Sequence, residues 1–123
     1  MNPYTKTFVA SGDLSHRALV KFTANDGEVA LATAPTDLIA GVVDYPNGAK
    51  SGGRVDVVLF GPAEVLVGGT VLPGAGITAD GTGRAIAAAP GAGINHFVVG
   101  RVLTNGVVGD IAKAFINPHR IQG

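Results

Sequence analysis

Residues 53–89 read GRVDVVLFGPAEVLVGGTVLPGAGITADGTGRAIAAA. Short apolar runs are separated there by glycine or proline. Arg54–Phe60 is rich in β-branched residues and has the look of a strand. Gly61-Pro62 is expected to break it, with Ala63–Val67 returning as a second strand. Gly68-Gly69 turns again, and Thr70–Leu72 is a brief extended piece stopped by Pro73-Gly74. Ile77–Ala79 and Arg84–Ala88 flank Asp80-Gly81-Thr82-Gly83, a four-residue hairpin loop whose glycines can take φ > 0. No window repeats at 3.6 residues for three turns. The stretch predicts a compact antiparallel β unit with tight corners and almost no reactive side chains.

The same punctuation runs outward in both directions. Residues 1–12 alternate Tyr4, Lys6 and Phe8 against Thr5, Thr7 and Val9, which is strand period. This segment is either an ordinary first strand or an extended N-terminal arm that adds to a neighbouring subunit's sheet edge. We divide the chain accordingly into an arm, 1–12, and a β-barrel domain, 13–123. Asp13–Ala18 is a helical turn or a loop. Ala18–Thr23 and Glu28–Ala32 form a hairpin about Asn25-Asp26-Gly27. Leu38–Val43 is a continuous apolar run, and Gly41 inside it suggests a bulge or a close backbone approach. Asp44–Gly53 is an exposed loop, with Tyr45 at its base as a core plug or a contact residue.

Beyond the central unit, Ala87–Gly93 is a flexible connection and Asn95–Leu103 a strand. Asn105-Gly106 suits a type I′ hairpin. Ile111–Ile116 is the last strand, stopped by Asn117-Pro118, and His119–Gly123 is a short tail. Eight to ten short strands and no convincing helix predict an all-β protein. The fold class is a small single-domain barrel or sandwich of short antiparallel strands with Gly-rich turns.

The chain has 123 residues, enough for one domain burying roughly two-thirds of its unfolded surface. Apolar residues make up 46% of it, but 19 glycines and many alanines make the core light. Such a protomer is expected to complete its burial against copies of itself or a partner. Nine basic residues balance nine acidic ones, with neither sign bunched. No basic run is available to neutralise phosphates along a duplex, so no nucleic-acid partner is expected. A basic amphipathic helix and an apolar segment of ~18 residues are also missing, so no membrane partner is expected. The N-terminus lacks the pattern of a secretory signal. With no cysteine, disulfides, thiolate metal sites and cysteine nucleophiles are excluded.

The search for chemistry is otherwise empty. Asp80-Gly81-Thr82-Gly83 is a near-match to the Asp-Thr-Gly of aspartic proteases, but a glycine intervenes and a hairpin turn explains it. Gly74-Ala75-Gly76 and Gly91-Ala92-Gly93 do not continue as dinucleotide fingerprints. His16, His96 and His119 stand far apart, without metal-ligand spacing. Ser15-His16 are neighbours that do not face each other, and Ser11 and Ser51 have no nucleophile-elbow context. Asp44, Asp56 and Glu64 lie near Lys50, Arg54 and Arg84 in sequence; Asp56 and Glu64 as cross-strand neighbours would make a solvated face of mixed charge. Sugar-cleaving carboxylates usually sit among aromatic platforms, and here there is no tryptophan and only Tyr4 and Tyr45 as tyrosines. No catalytic residue, cofactor or metal is expected.

Order and spacing carry one resemblance. Ala63 to Gly68, Val71 to Ala85, Gly100 to Leu103 and Gly109-Asp110 follow one another as in the small capsid cement, or head decoration, proteins of tailed bacteriophages. The chain resembles that family over roughly Ile39 to Ile116. The resemblance implies a β-rich protomer, often trimeric. It would bind the major capsid protein at joints on the outside of the expanded head and stabilise it, after synthesis in the host cytoplasm. Tyr4, Thr5, Phe8 and Tyr45 are the candidate capsid contacts, on position and pattern. The alternatives are another virion display module, a tail or fibre component, a carbohydrate-binding domain, or a small β-barrel enzyme.

Overall fold

The computed structural model describes residues 3–89 and 95–122. Nine strands account for the regular structure there, and no helix occurs among the described residues. They are β1 (Tyr4–Ser11), β2 (Leu19–Phe22), β3 (Glu28–Leu31), β4 (Ile39–Val43), β5 (Arg54–Leu66), β6 (Gly76–Ala79), β7 (Ala85–Ala87), β8 (Asn95–Val102) and β9 (Ile111–Gln122). Hydrogen bonding runs in the order β1-β3-β2-β4-β5-β9-β8-β6-β7, and β1 also pairs with β5. The first five strands thereby close a small barrel. β5 then continues into a second sheet of β9, β8, β6 and β7. A parallel bridge from Val67 to Ala85 brings β7 back against the continuation of β5.

β5 is the spine, and it corrects the expected hairpin at Gly61-Pro62. Arg54–Leu66 is one strand of 13 residues, not two that turn back on each other. Its first half pairs with β1 and β4, its second half with β9. Gly61 takes φ +108°, a conformation most side chains avoid, so the strand bends there and changes neighbours without breaking. Asp56 and Glu64 therefore lie on one strand and are not cross-strand neighbours.

β9 corrects the other proline stop. It runs through Asn117-Pro118 to Gln122 because β8 accompanies it, Val98 opposite His119. β5 has left β9 at the Gly61–Ile116 pair, so Pro118 falls where only one edge is paired, a position that tolerates proline. Asn105-Gly106 does not make a tight hairpin either. Residues 103–110 separate β8 from β9, and Gly106 exchanges backbone bonds with Val71 at 2.9 and 3.1 Å. The connection expected at Ala87–Gly93 lies, from residue 90 onward, outside the described residues. The hairpin of β2 and β3 is as expected. In its turn, hydrogen bonds from the Thr23 hydroxyl and the Asn25 amide hold the Glu28 carboxyl below its ordinary value.

Two apolar clusters fill the molecule. Phe8, Leu14, Val20, Val29, Val43, Val55 and Val57 fill the barrel. Leu19, Ile39, Val42 and Val58 join Val65, Ile77, Val99, Val102 and Ile116 beneath the second sheet. β5 serves both, since alternate side chains leave opposite faces of a strand. Valine and alanine dominate, so the cores are small-residue cores, each buried valine contributing about 1.5–3 kcal/mol.

Residues 4–11 of the segment read as an arm are a stave of this barrel, with Tyr4–Val9 antiparallel to β5 and Val9–Ser11 parallel to β3. Phe8 and Ala10 hold β1 down by entering the core.

Candidate binding surface

Backbone bonding of β1 is lopsided. The Val9 N–H donates to Gly27 O on the β3 side, and the Ala10 N–H donates to Gly53 O on the β5 side, both at 2.8 Å. In an antiparallel pair such directions alternate along the strand. Phe8 and Lys6 therefore bond towards β5, while Thr7 and Thr5 turn their N–H and C=O groups the other way. β3 reaches only as far as Val9. Among the described residues nothing pairs with that outer edge from Tyr4 to Phe8, and Tyr4, Thr5, Lys6 and Thr7 are all solvent-exposed. An open strand edge of this kind templates another strand.

The four sequence candidates fare differently. Tyr4 is 60% exposed and sits opposite Phe60, itself exposed, so two aromatic rings mark one end of the edge. Thr5 carries the unpaired backbone groups. Phe8 is only 6% exposed and packs edge-to-face on Phe22 at 6.3 Å, so it serves the core, and Phe22 is the ring left exposed. Tyr45 is 38% exposed but lies across β5 from β1, two residues beyond the Val43–Val57 pair. Its N–H donates to His16 Nδ1 at 3.1 Å, which anchors the loop rather than joining it to Tyr4. The structure thus brings Tyr4 and Thr5 together and leaves Phe8 and Tyr45 out. Phe60 was missed because only the β1–β5 register reveals it.

Several charged groups are paired locally. Thr7 Oγ donates to Asp56 Oδ1 at 2.7 Å across the β1–β5 pair. Arg17 meets Glu64 at 3.0 Å, Lys21 meets Asp37 at 3.7 Å and Arg84 meets Asp80 at 3.2 Å. In the β6–β7 loop, Asp80 accepts the N–H groups of Thr82 and Arg84 at 2.8 and 2.9 Å. Among the described residues no three histidine, aspartate or glutamate side chains converge as metal ligands. The hollows are shallow. One of about 480 Å³ is lined by glycines with Val98, Arg101, Phe115 and His119, and holds no pair of groups placed as nucleophile and base. Among the described residues no helix is long and apolar enough to cross a membrane.

No protein-family model matches the sequence, and no curated protein matches it. Among solved structures the fold has a counterpart in the N-terminal base of the head fiber protein gp8.5 of bacteriophage phi29. That similarity has a TM-score of 0.66 and 16% sequence identity, and covers 94% of this chain and 95% of the other. Barrel, second sheet and their shared strand therefore form an arrangement that this chain has in common with a phage head fiber base.

Proposed function

We propose that this chain is a structural protein of a bacteriophage virion. It acts by binding, as a cement or decoration module on the outer surface of the expanded head, and no catalytic step is part of its role. The observation that carries the reading is the fold shared end to end with a head fiber base. The open edge of β1 supports it, because it offers the kind of contact by which a strand of a major capsid protein could be added. Tyr4, Thr5 and Phe60 would meet that strand. Many modest contacts repeated over a lattice act by avidity. Binding only the expanded lattice would stabilise that state by linkage. In this reading the protomers also associate with one another, as a trimer.

The likeness to a fiber base favours a second reading, in which the chain is the attachment base of a projecting fiber. Cosedimentation separates binding from no binding. Purified chain mixed with expanded heads of the phage whose genome encodes it should pellet at a fixed, saturable ratio. It should ignore unexpanded heads. Failure to pellet with expanded heads contradicts both readings, while a filament projecting from each bound copy on the virion selects the second.

A further inference from the structure

We propose that the hollow over β6, β8 and β9 binds one unit of an anionic sugar, a pyranose ring carrying a carboxylate or a phosphate. Head binding does not require this site, which lies on strands that β1 does not pair with. Cross-strand registers build it. Arg101 of β8 lies opposite Phe115 of β9, and Gly76 of β6 lies opposite Arg101. Between Val98 and Gly100 the β8–β9 register slips by one residue, and an irregularity of this kind re-aims the side chains beside it. Asn117 and His119, on β9 at the slip, join Phe115 and Arg101 in lining the hollow. Gly100 lets β8 approach β9, since a Cβ there would strike the Phe115 carbonyl. With glycine at 76 and 100 the floor is nearly bare of side chains, and about 480 Å³ opens over it. That is room for one sugar ring and its substituents, at the small end of ligand sites.

The lining identifies the ligand. No carboxylate borders the hollow, and among the described residues none forms an ion pair with Arg101. A guanidinium presents a planar fork of donors that suits a carboxylate or a phosphate. His119 Nδ1 lies 2.7 Å from Asn117 O. A carbonyl only accepts, so Nδ1 carries a proton and Nε2 is left to face a ligand. The Asn117 amide both donates and accepts, as sugar hydroxyls require. Phe115 supplies an apolar wall, and Phe60 packs edge-to-face on it at 5.2 Å, which holds that ring in place. A bare anion would need the cation but not the wall, and a neutral sugar the wall but not the cation. A peptide strand does not fit either. β6 and β8 bond to each other and to β7 and β9, so the floor offers no free strand edge.

The test is a titration of the full chain followed by NMR of its backbone amides. Glucuronate and glucose 6-phosphate are the probes, with glucose and inorganic phosphate for comparison. At least one probe should shift the amides of Gly76, Gly100 and Arg101 saturably, and should bind at least tenfold more tightly than glucose or phosphate. Which probe binds tells whether the anionic group is a carboxylate or a phosphate. Arg101→Gln, a change at an exposed position, should weaken that binding at least tenfold. Lys113→Gln removes the same charge from β9 outside the hollow, and should change it less than twofold. Absence of saturable binding by both probes overturns the site. Glucose or phosphate binding as tightly as the probes overturns the ligand class. Equal losses from Arg101→Gln and Lys113→Gln overturn the placement, because the attraction would then belong to the sheet as a whole.

Discussion

Arg17 and Glu64 tie the loop before β2 to the distal half of β5. The Nε and Nη2 groups of Arg17 donate to Glu64 Oε1 at 3.1 and 3.0 Å, although 47 residues separate the two in sequence. Arg17 does this from φ +71°, and it is the only non-glycine residue at positive φ among those described. Its own N–H donates to Val43 O at 2.9 Å. The left-handed conformation costs roughly 1 kcal/mol, and an ion pair this exposed returns at most about as much. Arg17→Ala keeps the strain and loses the pair, so urea denaturation should show a loss of about 1 kcal/mol. Arg17→Gly loses the pair and the strain, and should lie within about 0.5 kcal/mol of the parent. A glycine variant as unstable as the alanine variant would contradict this account.

The two glycines of the β6–β7 loop should differ. The sequence allows both to take φ > 0, but only Gly83 does, at +77°, and a Cβ there would strike the Leu31 side chain. Around Gly81 a Cβ would meet open space. Gly83→Val should destabilise by about 2–4 kcal/mol through strain and overpacking. Gly81→Val should cost less than about 1 kcal/mol. Equal melting temperatures for the two variants would refute the loop geometry.

Asp80 should give the fold part of its acid sensitivity. Burial pushes its carboxyl up, but the N–H groups of Thr82 and Arg84 oppose this, with the Thr82 hydroxyl and the Arg84 guanidinium. The balance lies below the ordinary aspartate value. A carboxyl depressed in the folded state adds stability that is fully present above its unfolded value, about pH 4, and is lost as pH falls through the folded value. Asp80→Asn should therefore cost about 1–2 kcal/mol at pH 7 and flatten the fall in stability below pH 4. An unchanged pH profile would contradict the assignment.

The β1 edge makes a prediction about function that stability does not move. The Thr5 N–H points away from β5, so Thr5→Pro removes a donor from the open edge without removing a bond of the barrel. Thr5→Pro and Tyr4→Ala should each weaken binding to expanded heads by about tenfold, with melting within a few degrees of the parent. Deleting 1–9, by contrast, should unfold much of the barrel, because Phe8 leaves the core and β5 loses a neighbour. A stably folded deletion would show that β1 is dispensable to the barrel.

Much of this architecture was legible from local signals. Asn25-Asp26-Gly27 announces the β2–β3 hairpin, and Gly41 within an apolar run marks the place where β4 crosses close to the Val58 carbonyl. The failures share a cause. Gly61-Pro62 and Asn117-Pro118 are breakers by local rule, yet both strands continue, because what decides is which neighbour lies on which edge. The parallel pairing of β1 with β3 has no local sign at all. Alternation in Ile111, Lys113 and Phe115 was readable, but that Pro62, Leu66 and Leu103 share their face depends on registers set by the fold. Of the candidate contacts, Tyr4 and Thr5 lie on the open edge, whereas the same alternation could not tell that Phe8 points inward.

Cryo-electron microscopy of expanded heads saturated with the chain would show which face of the protein meets the shell. Barrel-shaped density is expected on the outer surface, at joints between capsid subunits, with the Tyr4–Phe8 edge of β1 turned to the shell and continued by a capsid strand. Bare heads, or bound copies whose β1 edge faces solvent, would contradict it.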